Sequence, residues 1–266
     1  MAPIGGRLDE RAIPFGSARG VYFADHAHGE GRVRFRIVVD PSGLMPSFER
    51  VRPLPADPRG DTPATARLRL PFDGLWWAAV APSPEIGNHH AAAQDQRHAF
   101  DFLIWRDGST HRRDGRDNAD YWAWAQPVRA PAAGTVVAAH DGVPDNRPGA
   151  ETNTSEPAGN HVVIDLGHGE YAALAHFQTG SIRVAEGDRV SSGQLLGLVG
   201  NSGNSSEPHI HFHVQDAPGF DPGGPLGIPV RFDNYEADGI AQPRGTPSGG
   251  QFVRPLETES AARGTP

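Results

Sequence analysis

The densest chemistry in this protein lies in the run EPHIHFHVQD. His209, His211 and His213 recur at every second position of a stretch that reads as a β-strand, so their imidazoles share one face, roughly 6–7 Å apart along the backbone. A row of imidazoles on one face is costly to bury unless something coordinates it or hydrogen-bonds to it. The sequence has 13 His and no Cys, so a transition-metal site must be built from imidazole nitrogen and carboxylate oxygen, donors that zinc accepts at about 2.0–2.2 Å. The remaining donors must come from elsewhere. GNHHAAAQDQRHAFDF offers His89, His90, His98 and Asp101, and EYAALAHF offers His176. Asp101 interrupts the apolar run AFDFLI, where a carboxylate is expensive unless paired or bound to a metal. The competing reading is a solvent-facing strand residue with Phe100 and Phe102 turned to the core. His26, His28, His111, His140 and His168 read as surface residues in loops or turns, and His161 as a strand-face residue.

Short elements must position these groups. LRLPFDGLWWAAV, HAFDFLIW, QPVRAPAAGTVVAAH, GNHVVIDL, EYAALAHF, GQLLGLVG and HIHFHVQD are short apolar or alternating runs bounded by Gly, Pro, Asn and Asp. Such spacing predicts an all-β sandwich or barrel-like antiparallel domain. Gly 33 and Pro 25 without a fixed period predict many turns and long loops. Two polar stretches, 106–120 and 143–159, read as surface loops expected to flank a groove. GNSGNSSEP before the histidine run reads as a tight polar turn. The expected organisation is a small β-rich region over 1–68, a domain over 69–235 and a Gly/Pro-rich tail over 236–266. In the first region RVRFRIVV alternates Arg32, Arg34 and Arg36 with Val33, Phe35 and Ile37, a strand with one wet face, and 52–65 reads as a linker.

Composition narrows the functions. All 24 basic residues are Arg and Lys is absent, which removes Schiff-base, P-loop and lysine-attached-cofactor chemistry. A net charge of −8 argues against general nucleic-acid binding. No run approaches the roughly 18 apolar residues that a membrane span needs. There is no His-Glu-x-x-His helix, Gly-x-Ser-x-Gly elbow, Walker loop or GxGxxG, so a hydrolase built on this sequence would take its base from histidine.

With those residues in view, GNSGNSSEPHIHFHV resembles the terminal motif of the lysostaphin/LytM-type zinc endopeptidases, whose signature is Pro-His-x-His-Phe. EYAALAHF resembles their Tyr-x-x-x-x-His-Leu segment, and VRAPAAGTVVAAHDG and VAEGDRVSSGQLLGLVGNSG resemble the strands between. The resemblance covers about residues 69–235 and leaves 1–68 outside. It implies a compact antiparallel β domain with a groove over one zinc ion. It implies His211 and Asp101 as zinc ligands, and His209 and His176 as the two catalytic histidines. The usual first ligand lies in His-x-x-x-Asp, but position 97 is Arg. A variant has Asn-x-His upstream of Gln-Arg-Tyr-Ala-x-Asp-Phe. Asn88-His89-His90 and Gln96 to Phe102 fit it with His98 in place of Tyr, so His90 is the expected third ligand and His89 the fallback.

The activity so implied is zinc-dependent hydrolysis of peptide bonds in bacterial peptidoglycan or glycine-rich peptides. It also implies a cell-envelope or secreted location, although the opening MAPIGGRLDERAIPFG lacks the apolar stretch of a signal peptide. A non-catalytic member that binds wall peptide or regulates another enzyme is the alternative. A lipoyl- or biotin-carrier reading, suggested by Ala-Pro-x-x-Gly-x-Val, fails for want of a lysine. On these assignments His213, one step further along the strand, is expected to be a bystander.

Overall fold

The computed structural model describes residues 8–15, 19–28, 31–39, 47–51, 62–82, 88–150, 152–220 and 224–256, the backbone alone up to residue 51. The N-terminal part is an antiparallel sheet of β1 (Leu8–Phe15), β2 (Arg19–His28), β3 (Gly31–Val39) and β4 (Ser47–Val51) in that order. The expected alternating strand is β3. His26 and His28 fall in β2, a strand, and not in the turns that the sequence suggests. The faces of the arginine stripe and most of the expected linker lie outside the described side chains and residues.

The larger sheet carries the candidate site. Its strands are β5 (Trp76–Val80), β6 (Phe100–Leu103), β8 (Gly134–His140), β9 (Asn160–Asp165), β10 (Tyr171–Phe177), β11 (Arg189–Val190), β13 (Ile210–Gln215), β14 (Gly227–Ile228), β15 (Phe232–Ala237), β16 (Ile240–Gly245) and β17 (Phe252–Pro255). They run in the order β11-β8-β9-β10-β13-β6-β5-β17-β15-β16, with β14 also on β13; β7 (Pro127–Arg129) and β12 (Leu195–Leu198) form a separate pair. The described strands pair antiparallel throughout, and no α-helix occurs among the described residues. The fold is all-β, as the sequence predicts, and no described helix is long and apolar enough to cross a membrane.

Period-two alternation sorts the three central strands into two faces. Phe100 and Phe102 of β6, Ala172 and Leu174 of β10, and Ile210, Phe212 and Val214 of β13 enter one core with Phe72, Trp76, Leu196 and Phe232. Val128 of β7 and Leu196 of β12 belong to that core, so the small pair packs over the sheet. The opposite face of the same strands receives Asp101, His211 and His213. His211 pairs directly with Asp101 across β13 and β6, and Ala175 and Ala173 of β10 face His211 and His213. Directly opposed residues bring their Cβ atoms within about 5 Å, and the alanines leave room for the rings.

The alternation breaks once, usefully. The β9–β10 register shifts between Leu174 and Phe177, and His176 within that interval has φ +65°. The extra residue resets the parity of β10. Phe177 returns to the core, and His176 turns to the Asp101 face instead of into the apolar layer. Left-handed backbone in a non-glycine residue costs energy and persists only where its surroundings impose it. Here His176 N–H donates to Ala158 O at 3.2 Å, and Gly200 N–H donates to His176 O at 3.0 Å.

Beyond residue 235 the structure departs from expectation. The tail expected from 236 instead begins inside β15 and continues into β16 and β17. Val253 is buried, and β17 sits between β5 and β15. Gly and Pro mark turns here and not loose backbone, because the intervening residues pair as antiparallel strands. At the other boundary, Ala64 and Leu68 join the same core, and the Thr65 amide and hydroxyl both donate to Glu170 Oε1. Residues 257–266 lie outside the described part.

The polar turn before β13 is anchored by close backbone approach. Gly203 has φ +78°, and a Cβ there would meet the Gly159 nitrogen and, at 2.6 Å, Pro157 O. Gly167 has φ +82° with open space around it. Gly203→Ala should therefore destabilise by on the order of 2–4 kcal/mol, strain plus collision, against about 1 kcal/mol for Gly167→Ala from strain alone. Denaturant unfolding of both variants checks this, and equal losses would remove close approach as the reason for Gly203.

Candidate functional site

Asp101 is the centre of the site. It is buried in the middle of the sheet, and four imidazoles surround its carboxylate. His90 Nε2 lies 2.8 Å from Oδ2 and His211 Nδ1 3.0 Å from Oδ1, while His89 Nε2 and His209 Nε2 each stand 3.6 Å away. The solvent-facing reading of Asp101 is thereby excluded, although Phe100 and Phe102 do face the core. Burial alone would raise its pKa, but the neighbouring rings of His90 and His209 hold it well below the ordinary carboxylate range.

His90 reaches Asp101 from a short 3-10 turn, His89–Ala92. Asn88 caps the turn: its Oδ1 accepts from His90 N–H at 3.1 Å, and its Nδ2 donates to Arg97 O at 2.9 Å. The Asn in the Asn-x-His pattern thus ties the turn to the approach to β6. The two adjacent histidines differ in setting, His90 with 12% of its side chain exposed and His89 with 66%. Nitrogens of both lie within 4.8 Å of each other and of the carboxylate. His98 is placed elsewhere, in a separate hollow with Pro82 and Pro229.

His176 and His209 form a second pair beside the first, with ring centroids 4.8 Å apart. Their tautomers follow from their neighbours. His176 Nδ1 is 2.8 Å from Ser202 O, and His209 Nδ1 is 2.8 Å from Glu207 O. A carbonyl only accepts, so both Nδ1 atoms carry hydrogen, and in each neutral ring Nε2 offers a lone pair. Burial, then the charges of His209 and His211, push the His176 pKa well below its usual value, and burial lowers that of His211 to about 3. These rings are therefore neutral near pH 7. The nitrogens of His90 and His211 and the Asp101 carboxylate meet at one buried point, a donor set that fits zinc.

The structure brings together all five expected site residues, His90, Asp101, His176, His209 and His211. It also adds one. His213 is buried, with its Nδ1 3.0 Å from His211 Nε2 and its Nε2 2.8 Å from Gln215 Oε1. His213 is therefore not set apart from His211 along the strand, as the bystander expectation assumes. Distance along the strand is not distance from the site, because same-face neighbours two residues apart touch through their rings. Reasoning from residue types also passes over the carbonyls of Ser202 and Glu207, which carry no side-chain signature. A cleft of about 430 Å³ opens over these groups, lined by His90, His176, His211, His213, Ala158 and Phe220 among others. Pro157 and Ala158, from the 143–159 loop, line it too. The 106–120 loop is joined to the turn before β13, where Thr110 Oγ1 donates to Glu207 Oε2 at 2.6 Å.

Comparison with known proteins agrees with the motifs. Residues 120–222 match the sequence profile of Peptidase family M23. That span holds His176, His209 and His211 and begins after His90 and Asp101. A curated relative, the peptidoglycan DD-endopeptidase ShyA of Vibrio cholerae, is 36% identical over 91 residues, which is 34% of this protein and 19% of ShyA. Among solved structures, the catalytic domain of lysostaphin from Staphylococcus simulans is similar at 19% identity and a TM-score of 0.34, over 58% of this protein and 88% of that one. The catalytic domain of the prophage-encoded M23 protein EnpA from Enterococcus faecalis is similar at 21% identity and a TM-score of 0.33, over 49% and 73%. The match to Peptidase family M23 thus covers residues 120–222, the span that holds the His176 segment and the His209–His211 motif.

Proposed function

We propose that this protein is a zinc-dependent endopeptidase that hydrolyses peptide bonds, with peptidoglycan cross-links or stem peptides as its substrate class. The observation that carries the reading is the buried Asp101 carboxylate with His90 and His211 nitrogens at 2.8 and 3.0 Å. His90, Asp101 and His211 would hold one zinc ion. A zinc ion held by such ligands polarises a carbonyl and lowers the pKa of water towards about 7.

The protein's own residues supply the proton handling. His176 and His209 each have their Nδ1–H held by a backbone carbonyl, which leaves an Nε2 lone pair on each of two neighbouring rings. In hydrolysis a water oxygen bonds to the scissile carbonyl carbon, and one Nε2 accepts the proton that the water loses. The C–N bond then breaks as that proton passes to the departing amine nitrogen. The carbonyl of Ser202 or Glu207 steadies the charge that its histidine carries in between. The second ring, 4.8 Å from the first, can donate to the developing oxyanion when protonated. The wall-peptide substrate is suggested by the family match and by the similarity to ShyA, a peptidoglycan DD-endopeptidase.

The two groups of residues should separate experimentally. Asp101→Ala, His211→Ala and His90→Ala should each lose stoichiometric zinc on metal analysis, because two remaining protein ligands hold the ion poorly. Full occupancy in any of them would mean that the ligand set is wrong, and loss in His89→Ala instead of His90→Ala would move that ligand by one position. His209→Ala and His176→Ala should keep zinc and lose turnover on wall fragments by roughly 100-fold or more. Zinc lost together with activity in His209→Ala would make it a ligand. Wild-type protein with no affinity for zinc would favour the wall-peptide-binding alternative.

A further inference from the structure

The face of β13 that carries His211 continues as an unbroken series of hydrogen bonds, and its direction can be read from its far end. Gln215 is buried, and its amide Nε2 lies 2.7 Å from Ala217 O and 2.8 Å from Gly219 O. Two carbonyls can only accept, so they fix which end of the amide is nitrogen and use both of its hydrogens. Its Oε1 is then left to accept from His213 Nε2 at 2.8 Å. A neutral His213 with its hydrogen on Nε2 has a lone pair on Nδ1. That lone pair accepts from His211 Nε2 at 3.0 Å. The hydrogen of His211 is thereby assigned to Nε2, and its Nδ1 turns a lone pair to Asp101 Oδ1, 3.0 Å away.

We infer that Gln215 and His213 are positioning residues that carry the polarity of two backbone carbonyls to His211 and hold it in the tautomer whose Nδ1 binds a cation jointly with Asp101. Nitrogen and carboxylate lone pairs opposed at that distance repel unless a positive charge lies between them. The relay therefore builds a demand for the cation into the sheet. It also separates His211 from His209. His209 has its Nδ1–H pinned by Glu207 O and presents Nε2, whereas His211 has its Nε2–H pinned by His213 and presents Nδ1. Partners of this kind beyond the ligands typically change metal affinity by about 10–100-fold when removed.

The inference deepens the reading of His211 as a zinc ligand, but its core can be tested without metal. Long-range proton–nitrogen correlation spectra of uniformly ¹⁵N-labelled, zinc-free protein report which ring nitrogen of each histidine bears hydrogen. His211 and His213 should both show hydrogen on Nε2, whereas His176 and His209 should show it on Nδ1. Hydrogen on His211 Nδ1 in the wild-type spectrum would overturn the relay, and no variant need fold for that result. His213→Leu keeps bulk but removes the acceptor. It should mix the His211 tautomers and weaken zinc binding, measured by competition with a chromophoric chelator, by about 10–100-fold. His213→Asn returns an acceptor oxygen near the lost Nδ1 and should restore most of the affinity. Leu and Asn variants that bind zinc equally would mean that His213 only fills space. Wild-type protein that binds no zinc would instead sink the functional reading, with the tautomer spectra still deciding the relay.

Discussion

The arrangement around Asp101 depends on one constraint: a carboxylate held inside a sheet must be compensated. Asp101 is placed there by alternation, because Phe100 and Phe102 on either side take the core. Once there it cannot be left alone, since a buried unpaired charge costs several kcal/mol. The compensation comes from histidines on the 88–92 turn and on β13 with the turn that feeds it, and the bulged end of β10 sets His176 against the rings of His209 and His211. Each of those segments in turn has its own backbone anchor, so the carboxylate, the cap at Asn88, the bulge at His176 and the polar turn at 200–209 form one dependent set.

Much of that set is legible in the sequence itself. Period-two spacing puts Asp101 and His211 on faces opposite their phenylalanine neighbours, and the cost of a lone carboxylate among apolar residues marks Asp101 for a partner. The all-β architecture follows from short runs between Gly, Pro, Asn and Asp. Three features are not legible, for physical reasons. The His176 bulge breaks the periodicity that strand reading relies on, and nothing in EYAALAHF shows where a register shifts. The role of His213 depends on ring-to-ring contact, which spacing along the backbone overstates as separation. The C-terminal strands β16 and β17 are hidden by their own Pro and Gly content, which marks turns without saying whether the residues between them pair.

His209 and His211 illustrate how identical side chains acquire different settings. Both lie near the same carboxylate, and composition cannot separate them. The partner on the far side of each ring does: a carbonyl at Nδ1 for His209, another imidazole at Nε2 for His211. The distinction is made by atoms that have no residue identity to read, namely backbone oxygens, and by a second layer of side chains whose only contact with the centre is through a neighbour.

The direct pairing of His211 with Asp101 has a consequence for how the protein finds its fold. A slip of β13 against β6 by one residue would set Ile210 or Phe212 opposite the carboxylate and drive the imidazoles into the apolar layer. Such a misalignment would be penalised twice, by a stranded charge and by solvent-exposed phenylalanine. The central pair of the sheet therefore proofreads its own alignment. Any substitution that makes Asp101 or His211 apolar removes that penalty, so it loosens the accuracy of assembly.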